Sequence, residues 1–300
     1  MAQAREIKSR IGNIKDIKQI TKAMNAIAMA KVTRLKNKLK AARPYQDIMN
    51  EKLKILQRGV GRKEGKPISP LLEEGDGDRI GLVVFNSDRG LAGNYTIDIN
   101  RAGRDFINSR DREVTIYAGG EKGHNFFKNR DGFEGSWVDF YQDPDFHKAE
   151  AIGQELLNLF ESGEFSELWV IYMKFNSDLN QELKVEKVLP LATEAIDEET
   201  ESSEEGPGGD FQEERIFEPR REEILANFLE EWFLERIFWI TLNTKTSEHA
   251  IRRKAMRDAT DNANELIDDL TLTYNKARQQ QITREIADII GGAEALREEA

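Results

Sequence analysis

Apolar residues near the start of the chain recur at Ile7, Ile11, Ile14, Ile17, Ile20, Met24 and Ile27, in steps that average close to the heptad value of about 3.5. From Ala2 to about Gln57 the only helix breakers are Gly12 and Pro44, so the pattern predicts one long helix. At the other end, no Gly or Pro falls between Pro219 and Gly291. Pro219 suits a helix's first turn and Gly291-Gly292 its end, which predicts a second long helix, with Asn243-Thr244 as the one place where it could break. Ile251, Ala255, Ala259, Ala263, Leu266, Leu270, Tyr274 and Ala277 draw a narrow stripe along it, and its other faces are charged. A stripe so rich in alanine is a seam that lets another helix approach closely. A helix of roughly 70 residues would run about 100 Å at about 1.5 Å per residue, and the only segment long enough to pair with it is the N-terminal one. Two such helices at opposite ends of a chain pair antiparallel, and what lies between them is looped out.

The middle of the chain has another rhythm. Ile80 to Asn86 is a short continuous apolar run of the kind that forms a strand buried on both faces. A loop follows from Ser87 to Gly93, then a helix through Asn108. Further strands are expected at Val114–Ala118, near Trp137 to Tyr141, and at Leu168–Phe175, with helices around Lys122–Lys128 and Pro144–Phe160 between them. Alternating strands and helices predict a small, Rossmann-like α/β unit with a mainly parallel sheet. Glu182–Leu189 alternates apolar and polar residues and adds an antiparallel edge. The expected organisation is a coiled-coil helix over residues 1–60, a Gly-, Pro- and charge-rich connector over 61–78, the α/β domain over 79–192, an acidic linker over 193–214 and a second coiled-coil helix over 215–300.

Composition narrows the class. The 300 residues are 39% hydrophobic and 33% charged, the profile of a soluble chain with extended coiled coil. The most apolar run, Ile224 to Leu242, carries Glu230, Glu231, Glu235 and Arg236, which suits a helix buried on one side better than a membrane span. There is no cysteine, so disulfides, thiolate metal sites and thiol switches are excluded. The chain starts straight into its helix without a signal or transit pattern, and the expectation is that it stays in the bacterial cytosol. The net charge of −11 conceals a polarity: residues 1–66 hold 18 Lys and Arg against 5 Asp and Glu. The first helix is a basic rod, matched either to an acidic neighbouring helix or to an acidic cavity on a partner. Nucleic acid is not expected, because Ala2–Ala42 offers no aromatic residue for stacking.

The loop after the first strand stands where an α/β fold places ligands. Its Gly90 and Gly93 are spaced G-x-x-G, which matches neither the dinucleotide fingerprint nor a phosphate loop. Asp88 and Arg89 could serve a site, and a tight turn with an internal ion pair explains them equally well. His124, His147 and His249 lie in separate segments without metal-ligand spacing, and no cofactor is expected. Glu194–Glu214 holds ten acidic residues, no Lys or Arg, and Gly206-Pro-Gly-Gly209. It reads as an acidic linker rather than an acid/base pair.

Several stretches carry a resemblance to one family. Ala4-Arg-Glu-Ile-Lys-Ser-Arg-Ile11 with Ile20-Thr-Lys-Ala-Met24 resembles the N-terminal signature of the gamma subunit of F-type ATP synthase. Ser87-Asp-Arg-Gly-Leu-Ala-Gly93 is similar to its central S-D-R-G-L-C-G motif. Ala259-Thr-Asp-Asn262, Tyr274-Asn-Lys-Ala-Arg-Gln279 and Ile282-Thr-Arg-Glu-Ile286, through Gly291-Gly-Ala293, resemble its C-terminal signature. The match spans the chain in order. Ala92 stands where the motif has Cys and Asn94 where it has a second Gly, so any role needing that thiol is absent.

The resemblance implies a rotor shaft: an antiparallel coiled coil inside a hexamer of alpha and beta subunits, with the α/β domain below it meeting the epsilon subunit and the membrane ring of c subunits. Such a shaft has no catalytic residue of its own and touches the bacterial inner membrane only through the ring, on its cytoplasmic side. By the same resemblance Arg278 and Gln279 match positions that contact a beta catch loop, Met24 one that faces an acidic beta segment, and Lys22, Lys31, Thr283 and Glu285 others tied to beta contact and coupling. Asp88, Arg89, Gly90 and Gly93 match the central motif loop. Two other classes compete: a free-standing coiled-coil adaptor, which explains the seam but not the motifs, and a nucleotide-binding α/β enzyme, which lacks its phosphate fingerprint.

Overall fold

The computed structural model describes residues 2–57, 68–139, 143–191 and 220–298; residues 61–67 of the expected connector, the acidic run of 193–214 and Pro219 lie outside them. Two compact units result, Met1–Met29 with Arg252–Ala300, and Ala30–Ile251. The division runs through both long helices.

Helix α1 spans Ala2–Gln57 with Pro44 inside it. Its buried and half-buried positions include Ile7, Ile11, Ile14, Lys18, Thr21, Asn25, Ala28, Val32, Leu35, Leu39, Ala42, Gln46, Met49, Leu53 and Leu56. The steps alternate between four and three throughout, so α1 carries a heptad seam. It is not quite the expected one. Ile17, Ile20 and Ile27 are 53%, 59% and 59% exposed, one position out of phase with the seam. After Ile14 the seam passes through polar Lys18, Thr21 and Asn25, and the isoleucines beside them form a second stripe facing outward.

Between the long helices the chain builds one sheet. β1 (Ile80–Phe85), β2 (Val114–Gly119), β3 (Phe133–Trp137), β4 (Glu167–Phe175) and β5 (Gln181–Leu189) lie in the order β3-β2-β1-β4-β5. β1 pairs parallel with β2 and β4, β2 parallel with β3, and β5 antiparallel to β4 with Val185 opposite Ile171. The mixed sheet is the one the hydrophobic pattern predicts. β3 ends at Trp137, where the bulky residues suggested that a strand begins, and just beyond it Asp139 adopts φ 57, which breaks an extended run.

Strand alternation sends side chains to two cores. Leu82, Val84, Ile116, Ala118, Ile171 and Met173 pack under α2 (Tyr95–Asn108) and α3 (Glu121–Phe127) through Tyr95, Ile99, Phe106 and Phe127. Val83, Phe85, Tyr117, Val170 and Tyr172 meet α4 (Phe146–Glu161), the end of α1 and the first turns of the last helix. Gly153 lets α4 approach closely, since a Cβ there would stand 2.6 Å from Leu234 Cδ2.

That last helix, α5, spans Arg221–Glu298, 78 residues. It does not break at Asn243-Thr244, and it continues through Gly291-Gly292 instead of ending there. Within the larger unit it runs antiparallel to α1: Trp232 Nε1 donates to Asn50 Oδ1 at 2.8 Å, while Leu242 packs with Leu35 and Leu39. In the smaller unit its seam is Met256, Thr260, Ala263, Ile267, Leu270, Tyr274, Ala277 and Gln281, all buried or half-buried. Leu266, expected in the seam, is 52% exposed; Ile267 takes its place in the four-three rhythm.

Candidate functional site

Strand order reverses direction between β1 and β4, since β2 and β3 lie to one side of β1 and β4 to the other. The crevice beyond the carboxyl ends of such a strand pair is where open α/β sheets take ligands. Here it is filled from within. Asn86, Ser87 and Asp88, which follow β1, are buried. Asp88 Oδ1 accepts the backbone N–H groups of Glu121 at 3.2 Å and Asp139 at 3.1 Å, drawing together the loops after β1, β2 and β3. Asp88 Oδ2 receives Lys245 Nζ of α5 at 3.3 Å, and Lys245 also meets Glu248 Oε2 at 2.8 Å. The exposures of these side chains are 2% for Lys245, 4% for Asp88 and 3% for Glu248.

The rest of the loop is a turn. Arg89, Gly90, Leu91 and Gly93 are exposed, with Leu91 at φ 63 and Gly93 at φ 54. Ala92 is 3% exposed and packs in the α2 core. Of the four motif-loop residues Asp88, Arg89, Gly90 and Gly93, Asp88 is therefore the one built into the buried cluster.

Every residue from Ile240 to Ala250 is buried, although Thr241, Asn243, Thr244, Lys245, Thr246, Ser247, Glu248 and His249 are polar. The hydroxyls of Thr241 and Thr246 return to the carbonyls of Phe238 and Leu242 at 2.8 and 2.7 Å, so the helix satisfies them itself. Others reach the sheet: Asn243 Oδ1 accepts Phe175 N–H at 3.1 Å, and Ser247 Oγ donates to Met173 O at 3.1 Å. Tyr95 Oη donates to Thr244 O at 3.4 Å. Sequence reasoning missed Lys245 and Glu248. The signal available was a run without large apolar residues, from Asn243 to His249, inside an otherwise apolar helix.

The coupling positions fall elsewhere. Met24 is half-buried, whereas Lys22, Arg278, Gln279, Thr283 and Glu285 are exposed, all in the smaller unit. Lys31 is exposed and belongs to the larger one. Thr283 Oγ1 donates to Gln279 O at 3.0 Å and Glu285 Oε1 accepts from Gln281 Nε2 at 2.8 Å. The Gln279 side chain is turned to solvent. The same stretch carries exposed Ile282, Ile286, Ile289 and Ile290.

Part of the basic rod is answered within the chain. Arg34 and Lys38, one turn apart, both reach Asp143, and Lys38 Nζ also donates to Pro144 O at 2.7 Å. Lys36 meets Asp178 at 3.2 Å. Partial burial pushes the Asp143 carboxyl up, but hydrogen bonds from Lys38 and Arg34 outweigh it and hold the pKa below the ordinary value. Lower on α5, Arg236 Nε donates to Glu186 at 3.1 Å, and Tyr172 Oη donates to the same carboxylate at 3.0 Å.

Among the described residues no helix is long and apolar enough to cross a membrane. A family model described as ATP synthase matches residues 3–296. An ATP synthase gamma chain from Desulfitobacterium hafniense is 37% identical over 298 residues, covering 99% of this chain and 100% of its own length. One from Staphylococcus epidermidis is 36% identical over 301 residues, with the same coverage of both. In fold the chain is similar to a chain of the Euglena gracilis mitochondrial ATP synthase rotor, with a TM-score of 0.62 at 15% identity over 94% of this chain and 99% of the other. A chain of the same organism's F1 and c-ring assembly gives 0.64 at 17% identity over 98% and 95%. The chain belongs to the ATP synthase gamma chain family.

Proposed function

We propose that this chain is the central rotor shaft of a bacterial F-type ATP synthase, turning inside a ring of three alpha and three beta subunits. The observation that carries the reading is the outward stripe of Ile17, Ile20 and Ile27, bordered by half-buried Met24. The seam of α1 lies elsewhere, so these side chains leave more than half of their surface uncovered by the described residues and call for cover by a partner. Exposed Ile282, Ile286, Ile289 and Ile290 make the same demand near the far end of α5.

Lys22, Met24 and Lys31 on α1, with Arg278, Gln279, Thr283 and Glu285 on α5, are the residues that meet beta subunits in this reading. A guanidinium fork at Arg278 and an amide at Gln279 suit carboxylates on a catch loop, and the basic rod suits an acidic surface. The α/β unit meets the epsilon subunit and the c-ring, and through the ring the chain is held at the cytoplasmic face of the inner membrane. Bond making and breaking stay with the beta subunits, and the shaft supplies neither catalytic residue nor cofactor. Its work is selection: each orientation must bind open and closed beta conformers unequally, because a shaft with equal affinity for all would shift no population.

The test is reconstitution with alpha and beta subunits from the same source. One copy of this chain per large complex, with ATP hydrolysis appearing only in that complex, is the expected result. Failure to assemble with folded alpha and beta subunits would turn the reading toward an adaptor.

A further inference from the structure

We infer that the buried contact of Lys245 with Asp88, with Glu248 holding the ammonium from the next turn of α5, is a latch that fixes α5 in rotation on the α/β sheet, so that turning force passes between sheet and shaft at this joint. The inference rests on the shaft reading above and names the positioning residues within it.

A helix that packs on a sheet through apolar residues alone is held by non-directional contact, and its ridges can settle in neighbouring grooves. The α5 segment from Thr241 to His249 is held differently. Phe175 N–H meets Asn243, Tyr95 meets the Thr244 carbonyl, Lys245 meets Asp88, and Ser247 meets the Met173 carbonyl. Each of these bonds is directional. Moving α5 by a single residue turns its side chains by about 100°, which would carry the ammonium, together with Glu248 on the same helix, away from Asp88 and leave the Asp88 carboxylate buried without Lys245, a strongly destabilising change in a protein interior. The latch therefore has one engaged position.

Asp88 is also placed to spread the load. Its Oδ1 holds the backbone of Glu121 and Asp139 while its Oδ2 holds Lys245. A pull on Lys245 is thus shared by the segments that follow β1, β2 and β3, not by a single loop.

The test uses the whole synthase in inverted vesicles, reading ATP hydrolysis and ATP-driven proton uptake together. The triple variant Asp88→Asn, Lys245→Met, Glu248→Gln removes the three charges of the cluster together, while the side-chain carbonyl of the new amide can still accept the two backbone N–H groups that Asp88 holds. Expected are an assembled complex, hydrolysis near the wild-type rate, and proton uptake per ATP reduced at least about threefold. An unchanged ratio of uptake to hydrolysis in assembled complexes, even with both rates lowered together, would overturn the latch, since a loss of stability alone lowers both in proportion. Should the triple variant not assemble, Asp88→Asn alone decides in the same way: a lowered ratio upholds the latch and an unaltered one removes it. Absence of the wild-type chain from the purified synthase would instead remove the shaft reading itself.

Discussion

Thr21 and Thr260 stand hydroxyl to hydroxyl, 2.8 Å apart, across the seam of α1 and α5. The Thr260 hydroxyl also lies 2.7 Å from Met256 O and the Thr21 hydroxyl 3.1 Å from Lys18 O, so the pair is bonded both across and along the helices. A polar pair in a helix–helix seam specifies register at some loss of stability. Replacing both by Val should therefore raise the thermal midpoint of the isolated chain by a few degrees, roughly what about 1 kcal/mol gives in a chain of this size. A fall in the midpoint would show that the hydrogen bond outweighs the apolar gain.

Met24 borders the outward stripe and is half-buried, so a longer cationic side chain there could reach solvent past Ile20 and Ile27. Met24→Lys is expected to add a charge-assisted contact to an acidic beta surface and to lower the protons pumped per ATP. Unchanged pumping per ATP in the assembled synthase would refute that role.

Glu235 gives a pH dependence. It is 3% exposed, and its Oε1 has no hydrogen-bond partner among the described residues. Burial pushes its pKa up to about 7, with Arg236 pulling it back and Asp47 raising it further. Because the folded pKa exceeds the unfolded one, folding takes up a proton between about pH 4.5 and pH 7. Stability from this group is full below that window, falls as pH rises through it, and stays low above about 7. Glu235→Gln should remove the slope and stabilise the chain at pH 8 by up to about 3 kcal/mol. Denaturant unfolding at about pH 5 and about pH 8 checks it, and equal slopes for both proteins would count against the assignment.

Asp143 should matter little on its own. It and Arg34 are more than half exposed, and exposed pairs typically contribute about 0–1 kcal/mol. Asp143→Asn is expected to shift unfolding by less than about 1 kcal/mol, with the difference shrinking further in high salt.

Gly120 is the sharper test of the joint's scaffold. It sits at φ +82, and a Cβ would fall 2.5 Å from Asn86 O, a backbone atom that cannot swing aside. Gly120→Ala should destabilise by roughly 2–4 kcal/mol through strain and displacement of the loop that carries Asp88. Near-wild-type unfolding would mean the loop can relax.

Much of the fold was legible because it is written in local periodicity. The two long stretches poor in helix breakers became α1 and α5, the apolar run from Ile80 became the central strand, and the alternation of Glu182–Leu189 became the antiparallel edge. The family signature was legible for a similar reason, being linear runs of residues. Phase was harder. Isoleucine at 17, 20 and 27 is as apolar as at 7, 11 and 14, and only the partner helix decides which set is covered; it chose Lys18, Thr21 and Asn25, whose neighbours were then left facing outward.

What the tertiary structure alone decided is the joint. Asp88 and Lys245 are 157 residues apart, and nothing local to either foretells the other. Asn243 and Thr244 read locally as a place to break a helix, because their side chains compete for backbone hydrogen bonds. Burial reverses that tendency: with water excluded, keeping the helix satisfies the backbone, while the Asn243 side chain finds the Trp239 carbonyl one turn back and the Phe175 N–H on the sheet, and the Thr244 hydroxyl stays buried without a hydrogen-bond partner among the described residues. The sequence by itself determined two long helices, an α/β unit between them and the family; the three-dimensional packing determined which apolar stripe is free and where the unit grips the shaft.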